Sequence, residues 1–234
     1  MFDSHRIMLA GATGLVGSEI MRVAAELPEL RLIALTRRQS PMPRGAVMEM
    51  MVADPADWHE AIRAIAPHSV ICALGTTRAK AGSAEAFRAV DHDLVLTVAQ
   101  AARDAGAEGF VLISSVGANP HSQVEYLRVK GEVESALGKL RFKRSHILRP
   151  GLLKGTRIDD PRPLEGLAKL VSPVTDLLLR GGQRGLRSID AHVLAEAALY
   201  FASSKMQGRF VHEHDAILRA ARKLEREHDA GEAD

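Results

Sequence analysis

The sequence is poor in reactive and marker residues: one cysteine, one tryptophan and two tyrosines in 234 positions. A lone cysteine excludes an internal disulfide and fits a reducing compartment. Cys72 lies in the apolar run VICALG (70–75), where it reads as an inert buried thiol rather than a nucleophile. No apolar run approaches the ~18 residues of a membrane span. The opening MFDSHRIMLAGATG lacks a charged segment followed by a long apolar one. Charge of one sign is also missing, since 31 Lys and Arg face 29 Asp and Glu, which argues against a nucleic-acid footprint. The expectation is a soluble cytoplasmic protein with no membrane or nucleic-acid partner. No linker rich in Gly, Ser or Pro divides the chain, and no repeat is visible.

What is present is alternation. RIMLA (6–10), RLIALT (31–36), GAVMEMMVA (45–53), SVICALG (69–75), GFVLISS (109–115) and SHILRP (145–150) read as strands, separated by helical patterns. Among these, 86–106 reads as one long helix closed by Gly106, and MEMM (48–51) as core packing. Strands apolar on both faces between helices predict a parallel sheet covered on both sides. The fold class is therefore α/β, a Rossmann-type doubly wound sheet with a small C-terminal extension. We read residues 1–234 as a single domain, with 151–234 supplying a small substrate-side cap and the last helices. In that part, 163–180 reads as short helices broken at Pro173, 186–190 as a short strand, and GRFVHE as a last edge strand. The mixed-charge tail from Arg219 reads as a solvated helix.

GATGLVG follows the first strand directly and opens the first helix. In this G-x-x-G-x-x-G spacing Gly11 permits the tight turn, Gly14 lets backbone approach a pyrophosphate, and Gly17 lets helix and strand pack closely. The free amides around Thr13, Gly14, Leu15 and Val16 point at the anion. An acid at the end of the second strand would select NAD. Thr36 stands there instead, followed by Arg37 and Arg38, whose guanidinium forks suit a 2′-phosphate. NADP(H) is favoured over NAD(H). Asp54 is placed to meet the adenine edge, and equally to cap the helix that follows it.

YLRVK places Tyr126 and Lys130 four apart, on one helix face, eleven residues after Ser114–Ser115. An ammonium beside a phenol lowers its pKa, so that it gives and takes a proton near neutrality. The Ser pair ends the fifth strand, at the carboxyl edge where open α/β sheets bind ligands.

Glycine loop, ISS and YLRVK in this order resemble the short-chain dehydrogenase/reductase superfamily. Over roughly residues 6 to 157 the chain is similar to its atypical branch, that of the Tat-interacting oxidoreductase-like proteins. The resemblance implies that Ser115 polarises a substrate carbonyl, that Tyr126 is the acid/base, and that Lys130 holds the nicotinamide ribose. It further implies that Leu74, Gly75, Thr76 and Thr77 line the diphosphate and ribose, and that Pro150, Gly151 and Leu152 lie along the nicotinamide. Arg157 is a further candidate contact. The loop from Ser115 to Tyr126 is about two residues shorter than usual in the family, so Ser114 is the alternative partner and a cofactor contact.

Two readings stay open. One is an NADPH-dependent oxidoreductase of a small carbonyl or alcohol; the other is a cofactor-binding regulator that shows nucleotide occupancy to a protein partner. A homodimer is compatible with both. His212 and His214 offer two metal ligands without a third nearby, so no metal is expected. Arg78–Lys80 reads as a solvated loop as readily as a phosphate contact.

Overall fold

The computed structural model describes residues 5–44, 46–154 and 188–232. A seven-stranded sheet runs in the order β3-β2-β1-β4-β5-β6-β9, with every pairing parallel. Its members are β1 (Arg6–Ala10), β2 (Arg31–Thr36), β3 (Glu49–Val52), β4 (Ser69–Cys72), β5 (Gly109–Ile113), β6 (Arg144–Leu148) and β9 (Gly208–His212). Two short strands, β7 (Leu153–Lys154) and β8 (Ile189–Asp190), pair separately. Strand order reverses between β1 and β4, which opens a crevice at their carboxyl ends.

Both faces of β1 are buried, as its unbroken apolar run requires. Ile7 and Leu9 pack beneath α1 (Leu15–Ala25) and, near the C-terminus, two helices at Ala191–Ser203 and His214–Glu232. Met8 and Ala10 face α2 (Trp58–Ile65), α5 (Val95–Asp104) and α6 (Glu125–Lys139). Burying such side chains fully contributes about 1.5–3 kcal/mol each, which makes the two-sided sheet the lowest state for these runs.

Several boundaries differ from the pattern. β3 is short because only Glu49–Val52 meet Ile33–Thr36, while Val47 stands exposed. Met48 and Met51 pack against opposite core layers, in keeping with core-packing methionines. The last residues of 69–75 and 109–115 leave the sheet and become loops at its carboxyl edge. The long helix over 86–106 is interrupted: α3 (Arg78–Ala81) and α4 (Ala84–Arg88) precede a wide π turn at Ala89–Leu94, which leads into α5. Gly106, with φ +86, ends α5. In the tail, α7 (Ala191–Ser203) and α8 (His214–Glu232) form part of the covering layer, because Ile217, Ala220, Ala221 and Leu224 are buried. The mixed charges of α8 belong to its outer face. Of the readings for 163–180 and 186–190, only 188–190 falls within the described residues, with Ile189–Asp190 forming β8.

His146 on β6 and His212 on β9 are buried beside Phe201 and Phe210, with His146 Nδ1 3.0 Å from His212 Nε2. Burial pushes both from the ordinary 6.5 to about 4, and His212 and Arg144 add to the effect on His146. Histidines in the unfolded chain bind protons near 6.5, so between 6.5 and about 4 the unfolded state binds more. Stability should therefore be full above that interval and fall as pH falls through it, by at most about 1.4 kcal/mol per pH unit and histidine. Denaturant unfolding from about pH 7 to about pH 4 checks this; an unfolding free energy that stays level argues against a neutral buried pair.

Candidate functional site

The turn after β1 is built by missing side chains. Gly11 has φ +94, and a Cβ there would lie 2.6 Å from the Ala73 carbonyl. A Cβ on Gly17 would lie 2.1 Å from Gly11 O, so α1 could not close on the end of β1. Gly14 is different: its φ of −79 suits any residue, and its Cβ would meet nothing in the protein nearer than Gly11 O at 3.4 Å. No protein contact demands glycine at 14, where the turn faces the cavity without a side chain. Gly14 caps α1 without a side-chain hydrogen bond, and no acid occupies the first helical turn. The amides of Leu15, Val16 and Gly17 are the donors such a helix start leaves to a ligand.

A cavity of about 1000 Å³ opens over this turn. Its walls include Thr13 and Gly14, then Thr36, Arg37 and Arg38 from the end of β2, and Leu74, Gly75 and Thr76 after β4. Its volume stands at the upper end of the ~300–1,000 Å³ usual for ligand sites. Thr36 Oγ1 is buried without a hydrogen-bond partner, while Arg37 and Arg38 are exposed on the rim. Sequence reading missed the segment Ser40–Arg44, which completes this wall. Its prolines and its lack of periodicity make it look like plain loop. Room at Gly14, helix amides, an unpartnered hydroxyl and flanking guanidinium groups together fit a dinucleotide.

Beyond the cavity lies a second cluster, joined to it through Gly75 and Thr76. Tyr126 on α6 is 36% exposed, whereas Lys130 one turn on is buried, its Nζ 5.9 Å from the Tyr126 ring centre. Lys130 Nζ is also 3.0 Å from Asp91 Oδ1, and Asp91 Oδ2 accepts the Thr76 N–H at 2.7 Å. Burial by itself disfavours the ammonium. The Asp91 carboxylate outweighs it with help from Tyr126, so the Lys130 pKa lies above its ordinary 10.5. Removing one member of such a pair typically costs about 3–5 kcal/mol, because the other is left buried and uncompensated.

The two serines separate. Ser114 is buried and donates to Glu134 Oε1 at 2.5 Å; the same carboxylate takes two bonds from Arg149, at 3.0 and 2.6 Å. Ser115 is half-buried and donates to the Val116 carbonyl at 3.2 Å, a bond a ligand can replace. Cys72 is fully buried, which pushes its thiol up to about 11 and leaves it unreactive. The Asp54 carboxylate accepts the Ala56 N–H and caps the short helix Pro55–Asp57, outside the cavity wall. Thr77 likewise caps α3. Pro150 is buried, with its carbonyl accepting the Val116 N–H, Gly151 is half-buried and Leu152 is 36% exposed. Arg157 lies outside the described residues.

Residues 7–134 match the model of the NAD dependent epimerase/dehydratase family. The chain belongs to that family. A relative called Protein FMP52, mitochondrial, from Candida albicans is 36% identical over 207 residues, covering 86% of this chain and 89% of its own. Its namesake from Saccharomyces cerevisiae is 41% identical over 153 residues, 64% of this chain and 66% of its own. Among solved structures, the UDP-glucose 4-epimerase of Thermus thermophilus in complex with NAD superposes with a TM-score of 0.64 at 18% identity, covering 96% of this chain and 83% of its own. That likeness confirms the Rossmann-type fold.

Membership places the chain in the short-chain dehydrogenase/reductase superfamily, as the glycine loop and the Ser, Tyr and Lys motifs imply. One expectation is corrected: the fungal relatives are named mitochondrial, which overturns the cytoplasmic reading. A single cysteine reports redox environment, which several compartments share, and compartment is set by transport machinery rather than by apolar runs. Among the described residues no helix is long and apolar enough to cross a membrane.

Asp91, Glu134 and Arg149 are site-building residues that motif reading missed. Asp91 had a signal: it takes an apolar-face position between Phe87 and Val95, at helical spacing. A carboxylate there needs a buried partner.

The glycines yield a contrast. Gly17→Ala should fail to fold or lose several degrees of Tm, since its methyl has no space. Gly14→Ala should fold like the parent yet bind a dinucleotide at least ~10-fold more weakly, at ~1.4 kcal/mol per tenfold. Thermal melts and cofactor titration of both variants check this; equal behaviour of the two would remove Gly14 from the site.

Proposed function

We propose that this chain is an NADPH-binding oxidoreductase of the atypical short-chain dehydrogenase/reductase type, acting on a small carbonyl or alcohol. The observation carrying this reading is that Tyr126 stands open to solvent at the carboxyl edge of the sheet while Lys130 is held charged beside it. A cation fixed beside an accessible phenol stabilises the anion that proton donation leaves behind.

When bound, the reduced nicotinamide supplies hydride. Gly14 and the α1 amides hold the diphosphate, Arg37 and Arg38 the 2′-phosphate, and Lys130 the nicotinamide ribose. Ser115, whose hydroxyl is spared the Glu134–Arg149 network that captures Ser114, donates to the substrate carbonyl oxygen. Tyr126 gives its hydroxyl proton to that oxygen as the carbonyl is reduced. The resulting tyrosinate is stabilised by Lys130 until solvent returns a proton, and oxidation of an alcohol runs the same transfers backwards.

Cofactor choice is tested by calorimetric titration of NADPH and NADH. NADPH should bind more tightly. Arg37→Ala with Arg38→Ala should weaken NADPH by ~10-fold or more, as charge-assisted bonds to phosphate are worth ~1.5–3 kcal/mol, and leave NADH nearly unchanged. Equal affinities in the parent, or NADH the tighter, would overturn the preference.

A screen of carbonyl compounds for NADPH oxidation identifies a substrate. Tyr126→Phe should then keep cofactor affinity and lower kcat by ~10²- to 10⁴-fold, the usual cost of a positioned general acid. Near-parental turnover by this variant would show that Tyr126 is not the acid.

A further inference from the structure

We propose that Ser40–Arg44 is a strap over the phosphate end of the cavity and that Arg44 is its clasp, a third guanidinium that fastens the strap to a bound 2′-phosphate. This rests on the NADPH reading above, and adds to it a residue and a conformational step.

Four arginines line the cavity: Arg22, Arg37, Arg38 and Arg44. Arg22 is committed to the protein, 2.7 Å from Glu19 and 3.7 Å from Glu26, the two acids of the same wall. Arg37, Arg38 and Arg44 are exposed, and none has a hydrogen bond or ion pair with a described residue. The fold gains nothing from placing these three charges together. A cleft lined by one sign of charge gains instead by concentrating a ligand of the other sign.

The backbone of the segment suits a strap. Pro41 and Pro43 fix their own φ and remove two donors, which keeps the segment out of the sheet while limiting the conformations it samples. Among the described residues its one hydrogen bond runs from the Ala46 N–H to the Pro43 carbonyl at 3.3 Å, a turn that carries Arg44 at its second position. So little fastening leaves it free to move against the cavity. Met42 borders the cavity yet is 40% exposed, an apolar side chain that a ligand can cover.

A second sign of a ligand lies at the foot of the strap. Thr36, 4% exposed, lines the cavity with a buried hydroxyl that has no partner, and such a group is costly unless a ligand satisfies it. A 2′-phosphate brings close to two negative charges and three strong acceptor oxygens. That matches three guanidinium groups in charge and in fork geometry. With Arg44 on the phosphate, Ser40–Arg44 is drawn down over the ligand; NADH, lacking the phosphate, leaves it open.

Arg44→Gln should melt like the parent, since the side chain is exposed and unpaired. By calorimetry it should bind NADPH and adenosine 2′,5′-bisphosphate ~10-fold or more weakly, and NADH and adenosine 5′-monophosphate within about twofold of the parent. Arg44→Lys should recover only part of the loss, because an ammonium keeps the charge without the fork. Arg63→Gln, an exposed charge on α2 outside the cavity wall, should change none of these affinities. Closure is read by trypsin, which cleaves after arginine: saturating NADPH should slow cleavage after Arg44, and saturating NADH should not. Parental NADPH affinity in Arg44→Gln, an equal loss for NADH, or equal protection by the two cofactors overturns the proposal. A preference for NADPH that falls with Arg37→Ala and Arg38→Ala but survives Arg44→Gln keeps the cofactor reading and loses this inference. A parent with no preference loses both. A chain that grips NADPH through Arg44 and reduces no carbonyl keeps the inference and loses the oxidoreductase reading.

Discussion

Backbone against backbone at the end of β1 is the constraint on which the site depends. The missing side chains of Gly11 and Gly17 let the segment after β4 and the first turn of α1 converge on one point. A Cβ at either would force β1 and β4 apart at their carboxyl ends or lift the helix off the sheet. Because β1 and β4 are where strand order reverses, that convergence forms the floor of the crevice. Everything else in the site is placed relative to this floor: the β2 end with its arginines on one side, the Thr76 turn and the Tyr–Lys helix on the other.

Two buried carboxylates hold the far side. Asp91 ties the α6 lysine to the turn after β4, and Glu134 ties the end of β5, through Ser114, to Arg149 after β6. Each bridges elements that the sheet alone leaves connected only by backbone. In the interior, where water does not compete, such bonds are strong when complete and costly when broken. The result is a frame carrying an exposed phenol and a lightly engaged Ser115 hydroxyl, the groups that the proposed reaction uses.

Much of this was legible in the order of residues. Runs such as RIMLA and GFVLI can be satisfied only by burial on both faces, so the parallel sheet and its covering helices follow from composition and spacing. Glycine spacing is similarly informative, because closeness of backbone has few other solutions. Thr36 and the two arginines after it border the cavity for the same reason: the threonine ends β2 and the arginines occupy the first positions past it.

What the sequence by itself determined is thus local or periodic: strand and helix identity, the turn that needs glycine, the helix face shared by Tyr126 and Lys130. Only the tertiary structure decided which partners meet. Asp91 and Lys130 are far apart in the chain, and their pairing depends on a π turn that no propensity encodes, set by how the helix settles against β4 and α6. The choice between Ser114 and Ser115 was likewise invisible, since both directly follow the same strand. Successive residues of extended chain point to opposite sides, and the side chain that Glu134 and Arg149 reach is fixed by packing across β5, β6 and α6.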